Sequence, residues 1–118
     1  MTPAPSTIGD AFAAAVATHG ARPFLAVPAD PARDYLPDGV EITYAEAGAA
    51  VARLAAAYAA AGFGPGHRVA TLLENRPEAV LHRLALNRLG ACVVPINPEY
   101  RPAEIAYLVD HSRPDLLL

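Results

Sequence analysis

The sequence predicts an α/β fold with three layers, α/β/α, around a mainly parallel sheet. Three observations point to it. Short apolar runs alternate with segments whose apolar residues recur every three or four positions, glycines stand at the junctions, and the connections are short. Strand, helix, strand, helix, strand with short links builds right-handed crossovers and a parallel sheet covered by helices.

The elements follow in order. Thr7 caps a helix over residues 8–17, because its side-chain oxygen satisfies an orphan amide, and Ile8, Phe12 and Val16 recur at a spacing of four on one face. Residues 24–27 read as a strand. The Pro- and Asp-rich stretch 28–39 reads as a solvated surface loop, closed by the Asp38-Gly39 turn signal, that returns into a short strand over 40–43. Thr43-Tyr44-Ala45-Glu46 matches a reciprocal capping box and starts a helix at Tyr44. Its apolar stripe is Ala47, Val51, Leu54, Tyr58 and Ala61, and Gly62 supplies the left-handed stop.

Phe63-Gly64-Pro65-Gly66 is a tight turn, and residues 68–73 read as a strand buried on both faces. Asn75 with Glu78 repeats the capping-box spacing, with Pro77 in the first turn of a helix running to Leu89. Gly90 ends that helix, residues 92–96 form the next strand, Pro102 opens a third helix with Glu104 in its first turn, and residues 115–118 begin another strand. Ala79, Val80, Leu81, Leu84, Ala85, Leu86 and Leu89 cover most of the circumference of the 76–89 helix, so cover is expected on more than one side. That helix and the apolar run at Leu118 lead to the expectation that residues 1–118 are a partial subdomain whose sheet continues in further polypeptide.

At 118 residues the chain holds one core and no more. It is 53% apolar and 18% charged with a formal charge of −3, so no basic footprint draws it to nucleic acid or to an anionic membrane. No stretch approaches a membrane span, and a cytoplasmic location is expected. The single cysteine, Cys92, excludes an intrachain disulfide and is expected to be a buried, inert thiol.

Little chemistry is present. The Gly62-x-Gly64-x-Gly66 run leaves a helix and enters a strand, the reverse of a phosphate loop, and reads as a structural turn. His19, His67, His82 and His111 show no metal-ligand spacing and read as surface or capping residues, and neither Ser6 nor Ser112 lies in a nucleophile elbow. All nine basic residues are arginine, so a mechanism that needs lysine at an acyl-phosphate centre is not completed here. No catalytic residue and no metal ligand is assigned.

Three stretches together resemble the adenylate-forming, AMP-binding superfamily of acyl-CoA ligases, luciferases and peptide-synthetase adenylation domains. Ile42-Thr43-Tyr44-Ala45-Glu46 resembles its first core motif, Gly62-Phe63-Gly64-Pro65-Gly66-His67-Arg68-Val69 its Gly-x-x-x-Gly-Asp-Arg-Val turn with His67 for the aspartate, and residues 86–97 its second core motif. The resemblance spans residues 8–118 and implies the N-terminal part of an AMP-forming acyl-CoA synthetase. Such an enzyme converts a carboxylate and Mg-ATP to an acyl-adenylate and pyrophosphate, then passes the acyl group to CoA. The family's phosphate loop, adenine segment and catalytic lysine lie outside these residues, so the chain alone is expected to be inactive and to bind ATP, Mg or CoA weakly.

The implied partners are the remainder of the ligase polypeptide and a small carboxylate substrate, and a homodimer is compatible with the resemblance. Residues 97–105 resemble acyl-CoA ligases more than peptide-synthetase domains, which more often carry aspartate where Asn97 stands. By the same resemblance Tyr100 and Arg101 lie on the CoA side, placed to stack on adenine or pair with a phosphate. The alternatives are a peptide-synthetase adenylation domain, a stand-alone α/β interaction module, and a flavodoxin-like nucleotide-binding domain. The last is disfavoured because Leu73-Glu74-Asn75-Arg76-Pro77 offers a carboxylate and a proline where a loop of amides is needed.

Overall fold

A computed structural model describes residues 4–118. Among the described residues there are four helices and five strands, and the chain divides into two compact units at Ala50.

In the first unit, α1 (Ile8–His19) starts where the Thr7 hydroxyl accepts from the Asp10 amide at 3.0 Å. It runs two residues past its expected end. Strands β1 (Pro23–Val27) and β2 (Val40–Thr43) pair antiparallel, with Val27 opposite Val40, and form a two-stranded sheet of their own. The parallel arrangement therefore starts only after them, because a twelve-residue return loop brings β2 back beside β1 instead of over a helical crossover. Phe24 joins the layers of this unit: its ring lies 5.2 Å from Phe12 and 4.9 Å from Tyr44. Aromatic centroids at these separations and tilts are favourable beyond their burial.

Residues 28–39 carry more structure than their composition suggests. The Arg33 guanidinium donates to the carbonyls of Pro28 and Leu36 at 2.7 Å and of Tyr35 at 2.9 Å, and stacks 5.1 Å over the Tyr35 ring. The loop closes at Gly39, whose φ is +78° and where an added Cβ would sit 2.5 Å from the Val27 carbonyl oxygen, so only glycine fits.

Helix α2 (Tyr44–Ala60) begins with the expected capping box: the Glu46 amide donates to Thr43 Oγ1 at 3.1 Å, and Glu46 Oε1 accepts from the Thr43 amide at 3.2 Å. Gly48 allows close approach to α1, since a Cβ there would stand 3.0 Å from Val16. Ala47, Val51, Ala55 and Tyr58 are the buried positions of α2, which moves the stripe from Leu54 to Ala55 and leaves Ala61 exposed.

The second unit holds the parallel sheet, in the order β4-β3-β5, from β3 (Arg68–Thr71), β4 (Cys92–Pro95) and β5 (Leu116–Leu117). Central strand β3 has Val69, Ala70 and Thr71 buried. Gly62 and Gly66 take φ of +94° and +88°, as the turn reading requires. Just after them His67 Nδ1 accepts from the Gly64 amide at 3.1 Å, the acceptor role that an aspartate oxygen would fill. Arg68 also fastens β5: its amide donates to the Asp115 carboxylate at 2.8 Å and its guanidinium to the Ser112 carbonyl at 3.0 Å.

Helix α3 (Pro77–Arg88) is capped by Arg76 in extended conformation, not by Asn75, and no side-chain cap bond is present. Pro77 at the first helical position fixes this, since the residue before a proline is held extended. Leu84, Ala85 and Leu86 are buried, while Val80 and Leu81 are half-buried on other sides, in keeping with the broad apolar girth of this segment. Helix α4 (Pro102–Ser112) opens with Glu104 Oε1 accepting from the Arg101 amide at 3.3 Å. Cys92 is exposed, contrary to expectation: it starts β4, an outer strand of the sheet.

His82 is not a surface residue either. It is half-buried, and the Tyr58 hydroxyl lies 2.7 Å from its Nδ1, with the rings edge to face at 5.9 Å. Burial pushes the Tyr58 phenol up and holds the His82 imidazole below its usual value, with Glu78 opposing the latter. Both shifts favour the neutral forms, and a neutral imidazole with its proton on Nε2 can accept at Nδ1 from the phenol.

Two expectations follow. Glu46→Ala strands the Thr43 amide and should lower stability by about 1 kcal/mol, seen as a lower urea midpoint with an unchanged slope. Because the folded state disfavours His82 protonation, its contribution is intact above the ordinary histidine pKa and is lost as pH falls through about 6.5 towards the lowered folded value. Urea midpoints measured on either side of that pH should therefore drop on acidification, and His82→Gln should lessen the drop.

Candidate functional site

The order β4-β3-β5 determines where a ligand fits. From β3 the chain crosses by way of α3 to β4 on one side, and from β4 it crosses by way of α4 back past β3 to β5. Right-handed crossovers running in opposite directions assign α3 and α4 to opposite faces of the sheet. The loops leaving the carboxyl ends of β3 and β4 then diverge, and open parallel sheets bind ligands in the crevice this leaves.

A cleft of about 690 Å³ lies there, within the range of small-molecule sites. The β3 loop supplies Leu73, Glu74 and Asn75, the segment after β4 supplies Asn97 and Tyr100 among others, and α3 supplies Arg83. The walls are held by backbone: the Ile96 amide donates to the Thr71 carbonyl at 2.8 Å, continuing the ladder between β3 and β4. Asn97 Oδ1 accepts from the Glu99 amide at 3.0 Å, and the Tyr100 amide donates to the Asn97 carbonyl at 3.1 Å, which folds 97–100 into a turn that lines the cleft. Glu74 is neutralised by Arg76 at 2.6 Å.

Of the two residues singled out from the sequence, Tyr100 lines this cleft, 43% exposed, and also borders a second hollow of about 420 Å³ beside Tyr107 on α4. Arg101 does not line it; it is exposed and caps α4 through its backbone. The arginine that the fold brings to the cleft with Tyr100 is Arg83, seventeen residues earlier in the chain. Nothing in its sequence context, Leu81-His82-Arg83-Leu84, marks it, because its place in the cleft is set by the packing of α3. Among the described residues no group of three His, Cys, Asp or Glu side chains is placed to hold a metal ion, and no helix is long and apolar enough to cross a membrane.

The cleft and its scaffold can be set beside known proteins. Tyrocidine synthase 3 of Brevibacillus parabrevis is 38% identical over 77 residues, covering 65% of this chain and 1% of the synthase. The 3-hydroxybenzoate–CoA ligase of Aromatoleum sp. (strain CIB) is 37% identical over 76 residues, covering 64% of this chain and 14% of the ligase. The N-terminal subdomain of Klebsiella oxytoca NpsA in complex with anthranilyl-AMSN superposes with a TM-score of 0.79 at 25% identity, over 94% of this chain and 27% of that one. The chain thus spans a small part of the length of each protein it resembles. The α/β fold with its parallel three-stranded sheet is that of the N-terminal subdomain of these enzymes, the match to AMP-binding enzymes runs over residues 12–118, and the chain belongs to that family.

Proposed function

We propose that the chain is the N-terminal part of an AMP-forming acyl-CoA ligase. In the parent enzyme a carboxylate oxygen attacks the α-phosphorus of Mg-ATP, giving an acyl-adenylate and releasing pyrophosphate. The CoA sulfur then attacks the acyl carbon and AMP departs. The observation that carries this reading is the segment after β4, where Asn97 and Tyr100 shape a cleft at the carboxyl ends of the parallel strands. Its Asn97 is the residue that resembles CoA ligases, and similarity to a 3-hydroxybenzoate–CoA ligase supports the same choice.

The chain's own residues act as scaffold and wall in this reading. The capping box at Thr43 and Glu46, the glycine turn and the Arg68–Asp115 contact hold the subdomain in shape, and Tyr100 is the wall residue on the CoA side, while Arg101 caps α4 outside the cleft lining. The acid-activating centre, its metal and its lysine belong to the remainder of the polypeptide, because this chain has no lysine. A second reading, an adenylation domain that loads a carrier-protein thiol, is favoured by the similarity to tyrocidine synthase 3.

Carboxylate-dependent exchange of pyrophosphate into ATP should be absent for the 118-residue chain and present for the polypeptide that extends it. Exchange by the short chain would overturn the assignment of the reactive centre to the remainder. Thioester formed on adding CoA, without a carrier protein, is the expected outcome; thioester formed only on a carrier protein would select the second reading.

A further inference from the structure

The hollow of about 420 Å³ beside α4 shares Tyr100 with the cleft and is otherwise separate from it. Its walls are Tyr100, Ala103, Glu104, Tyr107 and Leu108. Side chains on a helix lean towards its N-terminus, so the Tyr107 ring reaches over the turn that holds Ala103 and Glu104. His111, one turn later, stacks on the same ring at 5.7 Å with the planes 10° apart, which takes the far face of the ring and leaves the near face to the hollow. Tyr107 is 66% exposed and Tyr100 43%, so two aromatic surfaces stand open at one place. Neither the cleft nor the ligase reading makes any use of Tyr107.

We infer that this hollow binds a quaternary ammonium group, seated against the Tyr100 and Tyr107 rings and balanced by the Glu104 carboxylate. The face of an aromatic ring carries negative potential and attracts a cation held over it. Of the residues that line the hollow, Glu104 alone is charged. Its Oε1 accepts from the Arg101 amide at 3.3 Å, a bond to a neutral group, so its charge remains to favour a cation and oppose an anion. The rest of the wall chooses among cations. Ala103, Leu108 and two ring faces supply few acceptors, so a primary ammonium or a guanidinium would enter with several N–H donors unpaired, which costs free energy. A quaternary ammonium has no such donors and presents the rings with a surface that is both apolar and positive.

The volume admits a headgroup of choline size and lies within the range of small-molecule sites. The inference stands apart from the ligase reading, since it involves neither adenylate chemistry nor the arginine of the cleft. Glu104 and Tyr107 are both exposed, so their replacement leaves the buried core untouched, and a glutamine at 104 keeps an oxygen for the Arg101 amide.

The test is NMR of the tyrosine rings in the 118-residue chain, titrated with choline and with neohexanol, its uncharged isostere in which carbon replaces the nitrogen. Circular dichroism verifies that each variant is folded. Choline should shift the Tyr100 and Tyr107 rings saturably, with a Kd on the order of 10 mM, and leave Tyr58, which is bonded to His82, unmoved. Neohexanol should bind roughly tenfold more weakly, as loss of the cation's attraction to two rings implies. Tyr107→Ala and Glu104→Gln should each weaken choline by about threefold, and Tyr107→Phe, which keeps the ring, by less. Equal binding of neohexanol and choline, choline shifts that survive Tyr107→Ala or Glu104→Gln undiminished, or no saturable shift at all would overturn the inference.

Discussion

Strand β3 is the constraint on which the second unit depends. It is hydrogen-bonded on both sides, parallel to β4 and to β5, and Val69 and Ala70 at its centre have no exposed surface. A strand in that position needs apolar side chains on both faces, which explains why Val69, Ala70 and Thr71 run without a charge. Arg68, at its rim, converts the start of the strand into a clamp on β5 through Asp115 and Ser112. The arginine of the glycine-turn motif thereby has a physical purpose independent of any chemistry: it sets the register of a strand some fifty residues away in sequence. The cleft depends on the same strand, because both of its main loops are anchored to the carboxyl ends of the β3–β4 ladder.

What was legible in the sequence was mostly local. Thr43 with Glu46, Thr7 with Asp10, and the turns at Gly62, Gly66 and Gly90 involve groups three or four residues apart or a single φ, so composition and spacing suffice to read them. The cap of α3 shows the limit of spacing alone. Asn75 and Glu78 stand three apart, yet Pro77 dictates that the extended cap is residue 76. The antiparallel pairing of β1 with β2 turns on where a twelve-residue loop delivers the chain, and exposure of Cys92 turns on which strand ends up outermost. Both are decided by long-range order that a window of residues does not contain.

The candidate site follows the same division. Tyr100 was readable because it sits in a motif, while Arg83 was not, because it reaches the cleft from a helix that precedes β4. Arg101 was singled out by adjacency to Tyr100, but the helix that starts at Pro102 uses its backbone as a cap and leaves it outside the cleft lining. Likewise His82 reads as an ordinary polar residue until α2 supplies Tyr58 as its neighbour. The family's motifs in this chain thus mark joints of the scaffold, and the residues with unspent hydrogen-bonding capacity lie between those joints.

The loop between β1 and β2 illustrates a different kind of economy. Three main-chain oxygens and one aromatic face converge on the single guanidinium of Arg33, in a stretch that otherwise resembles a linker. Such a hub couples the segment: exchanging Arg33 releases all three carbonyl contacts and the ring contact together, leaving the local bonds around Asp30 and the Gly39 turn. Lysine, which lacks the planar fork, could not span the same three acceptors. Sequence drift in this region should accordingly be broad except at Arg33 and at the closing glycine, Gly39.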